Sequence, residues 1–296
     1  MRKSVSERTT TPLAQIDLKN PGAFEPAFEK SRLRKLDPCA TLRSAELGRW
    51  GEPAKDTPAD LGACSNFMKD HQGRDLHVTL YLEASLYDAT KHRLAGLPAQ
   101  IDGTGPTCYA RVATHGNGEG TLGAHSGMQV QLESESTDPC SAASDIMSRV
   151  VEQLREDEAR FASSDQSSLA RIDPCGTVDQ GAVKAATLGQ PAEPQSRDLY
   201  SCDWFAPNGV SVSVGFGTGT WRPGPVPNAD IGGKPGAVTP GGKRCDVVFE
   251  YRPPRSSVGG GELVTASVSM LDPLPMNPCA NAIGVARVAK AKLPAQ

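Results

Sequence analysis

The chain has 296 residues, with 31 basic and 34 acidic side chains, a formal net charge of -3 and no long run of one sign. That interspersed balance excludes an electrostatic footprint for nucleic acid or an anionic membrane, and no stretch approaches the ~20 consecutive apolar residues of a membrane span. The length is long for one compact domain and comfortable for two, at ~100–200 residues each.

In chain order, residues 1–32 have no counterpart further along and read as a stalk or disordered tail, with MRKSVSERTT leading into polar sequence rather than an apolar export core. At Asp37-Pro38-Cys39 a helix begins: the Asp side chain caps free backbone N–H groups, and a proline at the first helical position loses nothing by lacking its own. Strands follow from Cys64, over Leu76, Val78, Leu80 and Leu82 in strict alternation, through Cys108, Ala110 and Val112, and over Met128, Val130 and Leu132. A second helix opens at Asp138-Pro139-Cys140 and has one apolar face of Ala143, Ile146, Met147, Val150 and Leu154. Residues 159–170, ARFASSDQSSLA, are Ser-rich and unpatterned, and read as a linker. The series then repeats. Asp173-Pro174-Cys175 opens a helix, and strands start at Cys202, at Val210 (to Phe216), at Cys245 (to Tyr251) and at Ala266 (to Met270). Asn277-Pro278-Cys279 opens a last helix with the face Ala282, Val285, Ala286, Ala289 and Leu293.

The eight cysteines, 39, 64, 108, 140, 175, 202, 245 and 279, contain no CxxC, and none lies closer than 25 residues to the next. That argues against metal knuckles and redox motifs and for disulfides formed in an oxidising compartment. Their intervals of 25, 44 and 32 in the first half return as 27, 43 and 34 in the second. Trp50-Gly51-Glu52-Pro53 falls in register with Leu188-Gly189-Gln190-Pro191, and Gly96-Leu97-Pro98 with Gly233-Lys234-Pro235. The chain therefore reads as a tandem duplication, lobe 1 at 33–158 and lobe 2 at 171–296. Consecutive strands without helical crossovers imply an α+β fold, each lobe a helix, a four-stranded antiparallel sheet and a helix, disulfide-bonded. Four cysteines per lobe allow three pairings. In a four-strand meander the third strand starts where the fourth ends and the last helix begins, which pairs Cys108 with Cys140 and Cys245 with Cys279. Cys39 is left for Cys64 and Cys175 for Cys202. Nested pairing of 39 with 140 and 64 with 108 belongs to a different sheet geometry.

Leu36-Asp37-Pro38-Cys39, Cys202-Asp203-Trp204 and the helices at Cys140 and Cys279 resemble an actinobacterial family of secreted proteins and lipoproteins of unknown function, whose domains open on LDPC and close on a DPC helix. The resemblance covers nearly all of both lobes and implies an extracytoplasmic, membrane-associated role, more loosely similar to sensor domains of receptor serine/threonine kinases. It departs at Cys64-Ser65-Asn66-Phe67, which stands in place of Cys-x-Trp, and in the lack of a lipobox cysteine, kinase domain or anchor. An export signal or anchor upstream of this chain is expected.

Chemistry is sparse. All five histidines, 71, 77, 92, 115 and 125, lie in lobe 1, and His77 alternates with apolar neighbours onto a solvent face. His115 and His125 flank HGNGEGTLGAH, which resembles a phosphate loop in letters only, because no helix start follows. Gly123 to Gly127 carries His where a nucleophile elbow has Ser. No catalytic, cofactor or metal residues are assigned, and no cofactor is expected. Trp221 and Arg222, in the Gly/Pro-rich stretch 217–236, form an aromatic–cationic pair of the kind that anchors binding. The expected function is a non-enzymatic, extracytoplasmic binding or sensor-like protein of the cell envelope. It would bind a ligand or protein partner, not nucleic acid, between the lobes and at the loops 113–124 and 217–236, with Trp221, Arg222, His115 and His125 as candidate contacts. The alternatives are a secreted hydrolase with its site in lobe 1 and a structural envelope protein.

Overall fold

A computed structural model describes residues 16, 18, 22–87, 91–116, 125–135, 138–156, 168–220, 228–254 and 260–295. In chain order it holds β1 (Gly22–Ala23), α1 (Lys30–Leu33), α2 (Pro38–Ser44), β2 (Gly51–Glu52), β3 (Asp56–Asp60), β4 (Ala63–Asp70), β5 (Asp75–Leu86), β6 (His92–Leu94), β7 (Leu97–Thr104), β8 (Thr107–Ala113), β9 (His115–Gly116), β10 (His125–Ser134) and α3 (Pro139–Arg155). The second half holds α4 (Gln180–Ala186), β11 (Pro194–Ser196), β12 (Ser201–Phe205), β13 (Val210–Gly219), β14 (Asn228–Asp230), β15 (Pro235–Pro240), β16 (Arg244–Arg252), β17 (Gly261–Met270) and α5 (Pro278–Lys292).

The expected α+β arrangement, a four-stranded sheet between two helices in each lobe, is not the fold. The chain is mostly β: an antiparallel sheet of eight strands, another of seven, and the small ribbon β1–β9. The added strands sit at sheet edges and carry weak strand signals. β7 and β15 contain prolines and glycines, LPAQIDGT and PGAVTP, which disqualify a central strand and are tolerated towards an edge. Each of these is reached through a tight turn with positive φ at both central residues, Ala95 and Gly96 in one sheet, Gly232 and Gly233 in the other. Nor is the central four a meander. The order is β4-β5-β10-β8 in one sheet and β12-β13-β17-β16 in the other, so the fourth predicted strand lies between the second and third. The hairpins β6–β7 and β14–β15 extend the far side of β8 and β16, leaving the flank of β5 and β13 for the last strand.

β10 still runs antiparallel beside β8, and β17 beside β16, so the cysteine geometry survives the change of order. The bridges are Cys39–Cys64, Cys108–Cys140, Cys175–Cys202 and Cys245–Cys279, with Cα–Cα separations of 5.0, 5.1, 5.1 and 5.0 Å. The recurring Asp/Asn-Pro-Cys motif sets one end of each bridge. Asp37 Oδ1 accepts from the amides of Cys39 and Ala40, Asn277 Oδ1 from those of Cys279 and Ala280, and Asp138 from Ser141. The third copy differs from expectation: Asp173 opens only a 3-10 turn at Pro174–Thr177, and the helix proper restarts at α4 under the Asp179 cap. Gly176, poor in helix propensity, and a second good capping residue explain the break.

α3 packs on β8 and β10, α5 on β17 and β16, and α2 on β4 and β5. Alternation puts Leu76, Val78, Leu80 and Leu82 under the helices in one sheet and Val210, Val212 and Val214 in the other, all buried. One continuous apolar cluster runs from Phe28 through both sheets to Leu293. The tail expected over 1–32 is therefore not all tail: Phe28 is fully buried, the Phe24 amide donates to the Thr114 carbonyl, and Glu25 pairs with Arg155 of α3. Of the expected linker 159–170, residues 159–167 lie outside the described residues, and Leu169 is buried in the same cluster. No helix among the described residues is long and apolar enough to cross a membrane.

Candidate functional site

Where the two sheets adjoin, residues from both wall a cleft of about 270 Å³. Tyr81 and Glu83 alternate with the buried Leu80 and Leu82 and so stand on the solvent side of β5. Asp60, Gly62 and Ala63 come from the β3–β4 turn, with Ala63 paired to Tyr81, and Asp198, Tyr200 and Ser201 lead into β12, with Ser201 paired to Gly215. The Leu199 amide donates to Glu83 Oε2 at 3.0 Å, and the Thr218 amide and hydroxyl both donate to Asp60 Oδ1 at 3.1 Å. The Tyr200 ring lies against Gly62, where an added Cβ would come within 2.7 Å of its Cε2, so only glycine admits the tyrosine. Residues 30–34 brace the half that carries the seven-stranded sheet. Lys30 Nζ donates to the Ser196 carbonyl at 2.7 Å, and buried Arg34 donates to the Leu199 carbonyl at 3.3 Å and pairs with Asp173 at 3.2 Å.

Burial above all, then the neighbouring Asp198, pushes the Glu83 carboxyl up to about 8; the Leu199 amide and Lys30 oppose this without winning. Glu83 is thus an uncharged acid at neutral pH, able to donate as well as accept. Asp198 accepts from the Tyr200 amide at 2.8 Å and from the Ser201 hydroxyl. Burial raises the Tyr200 and Tyr81 hydroxyls above their ordinary range and lowers Lys30, whose drop Asp198 and Glu83 partly offset. A half-enclosed cleft with a neutral acid, tyrosine hydroxyls and carboxylate acceptors suits a polar ligand, and a perturbed group in a cleft is a recognised mark of such places.

The residues singled out from sequence lie elsewhere. His115 sits on β9 opposite Ala23, buried, with Nδ1 2.9 Å from the Thr114 hydroxyl; burial and then the Lys30 charge lower it to about 4. His125 starts β10 opposite Leu86 and is lowered by burial. The Thr114 amide donates to the Ser126 carbonyl, so both histidines stand at the base of one connection, outside the cleft lining. Residues 117–124, Trp221 and Arg222 lie outside the described residues. Among the described residues, the three-ligand group Cys39, Asp56 and Cys64 has both sulfurs joined in a bridge and so offers one carboxylate. Glu83, Asp198 and Tyr200 were missed from sequence. The only signal was that 81 and 83 continue the outward phase of an alternating strand, and nothing local says what faces them.

The seven-stranded sheet, α4, α5 and the bridges Cys175–Cys202 and Cys245–Cys279 all fall after residue 168. Residues 155–292 match a protein family of unknown function, DUF3558. The matched residues make up most of this second half and supply one wall of the cleft. The other wall, from β4 and β5, comes from outside the matched range. No curated protein matches the chain. The resemblance seen in sequence to a family of unknown function holds at this level, and the four disulfides suit an oxidising environment.

Proposed function

We propose that this chain is a non-enzymatic, sensor-like binding protein of the actinobacterial cell envelope, working outside the cytoplasm, and that its ligand or protein partner enters the cleft between the two sheets. The cleft carries the reading: Tyr81 and Glu83 on one wall and Asp198 and Tyr200 on the other make a polar recess that neither sheet has alone. A tandem duplication is supported by the cysteine intervals, by the shared order of the central strands and by the matching turns at 95–96 and 232–233. A lipoprotein-like attachment rests on the resemblance at Leu36–Cys39 and the closing helices.

A thermal-shift screen of the full chain against cell-wall fragments and purified envelope proteins tests this, with every hit retested on Tyr81→Ala. Hits should bind at least about tenfold more weakly to that variant while its unliganded melting curve stays cooperative. Hits indifferent to Tyr81→Ala would remove the cleft from the reading. Turnover of a screened compound, lost in His115→Ala or His125→Ala, would replace binding by hydrolysis in lobe 1.

A further inference from the structure

The solvent face of the seven-stranded sheet carries a second recess, of about 180 Å³, none of whose lining residues belongs to the cleft. Strand register builds it from two rows. One row crosses the sheet as Phe205, Ser211, Ser269 and Arg244, and the other as Asp203, Ser213, Ser267 and Asp246. In the second row the two serines give their protons away: Ser213 donates to Asp203 and Ser267 to Asp246. In the first row Ser211 and Ser269 share one hydrogen bond at 2.7 Å. Each guanidinium is tied to a carboxylate, Arg197 to Asp203 at 3.2 Å and Arg244 to Asp246 at 2.9 Å, yet both arginines remain 61% exposed and have N–H groups to spare.

The wall therefore presents serine oxygens as acceptors, with guanidinium donors at both ends and the half-exposed ring of Phe205 beside them. Each candidate class of ligand meets this wall differently. A phosphate or sulfate finds arginines already neutralised, beside two carboxylates that repel it. A cation meets the arginines. An apolar ligand would strip water from the exposed guanidinium N–H groups and from the one proton of the Ser211–Ser269 pair that has no acceptor, at a cost of ~1–3 kcal/mol each. A neutral ring with adjacent hydroxyls matches every element: its O–H groups donate to serine oxygens and accept from Arg197 and Arg244, and its C–H face lies on Phe205. We infer that this recess is a binding site for a neutral saccharide ring.

The eight-stranded sheet shows what closes such a recess. At the same register positions stand Phe67, His77, Glu133 and Thr107, and Ser65, Thr79, Gln131 and Tyr109. There the Phe67 and His77 rings stack at 4.0 Å, and Ser65 bonds to Thr79 at 2.8 Å, filling the space that Ser211 leaves open beside Phe205.

Saturation-transfer NMR on the full chain tests the inference, with methyl glucoside, methyl N-acetylglucosaminide, myo-inositol, cellobiose and chitobiose as probes. At least one should give transfer strongest at ring C–H protons, and Ser211→His, which installs the stack the other sheet already tolerates, should weaken it at least tenfold. Arg244→Ala should weaken it as well, so the result does not depend on one variant folding. No signal from any probe, signal unchanged in a folded Ser211→His, or displacement of the probe by millimolar inorganic phosphate would each overturn the assignment.

Discussion

Cys64-Ser65-Asn66-Phe67 and Cys202-Asp203-Trp204-Phe205 occupy the same place in the two sheets, one strand in from the edge and bridged to the helix or turn that opens each half. Their third residues face inward in both, and they do different things there. Trp204 is buried at 1% exposure and fills the core by volume. Asn66, equally buried, accepts from the Ala54 amide at 3.1 Å, donates to the Ala54 carbonyl at 2.9 Å and also reaches Asp56. It thereby holds β3, a strand with a proline and two aspartates that its own pattern would not recruit, against β4. The same frame can be held by packing or by a satisfied polar hub, and outward positions vary more freely still: stacked Phe67–His77 in one sheet, an open recess beside Phe205 in the other.

The sharpest way to break that contrast is to truncate both inward residues. Trp204→Ala should cost about 3–5 kcal/mol, a cavity loss, and Asn66→Ala about 1–3 kcal/mol, the cost of buried backbone groups left unpaired. Denaturant unfolding of both variants checks it, and an equal loss at the two sites would show that they are used alike. The bridges should behave as a matched pair. Replacing both cysteines of Cys39–Cys64 or of Cys175–Cys202 by serine should cost about 2–4 kcal/mol in either case, because the closed loops span 25 and 27 residues. A difference above about 2 kcal/mol between them would mean that one half leans on its bridge and the other does not.

pH separates the junction from lobe 1 more gently. Glu83 holds its proton in the folded state to about 8, well above its ordinary value of 4.5, so the stability tied to that proton is complete below 4.5 and is lost as pH rises through 8. His115, lowered from 6.5 to about 4, works in the opposite sense: its contribution is present above 6.5 and is lost as pH falls through 4. The two slopes oppose each other between about 4.5 and 6.5, so the melting temperature should be level there, fall as pH rises from 6.5 to 8 and fall as pH drops from 4.5 to 4. Glu83→Gln should remove the fall between 6.5 and 8 and leave a rise from 4 to 6.5, and His115→Phe should remove the acid fall and leave a decline from 4.5 to 8. A scan in which Glu83→Gln leaves the alkaline limb unchanged would place Glu83 in water.

Much of the frame was legible in the residues. The capped helix starts, the alternating runs at 76–82 and 210–216 and the cysteine intervals gave the central strands and all four bridges, because capping, alternation and loop closure are local or are stamped twice into the chain. The sheet order and the fold class were not legible. They turn on β7 and β15, where prolines and glycines mask the strand signal, and on which flank of β5 and β13 the last strand takes, a choice made by long-range pairing. Phe28 was hidden for another reason: two phenylalanines, 24 and 28, in a polar tail are too few to show a period. The cleft residues were least legible, since Glu83 acquires its character from burial in the cleft and then from Asp198, more than a hundred residues away in sequence.

The central claim is that the two sheets close on a sheltered, polar cleft in which Glu83 keeps its proton at neutral pH. Carbon-13 NMR of the side-chain carboxyls, with Glu83→Gln to assign the signal, measures this directly across pH 4 to 10. The expected result is one glutamate titrating near 8 and absent from the variant. A Glu83 carboxyl titrating near its ordinary value of 4.5 would mean that water fills the junction and that the sheets do not form the proposed site.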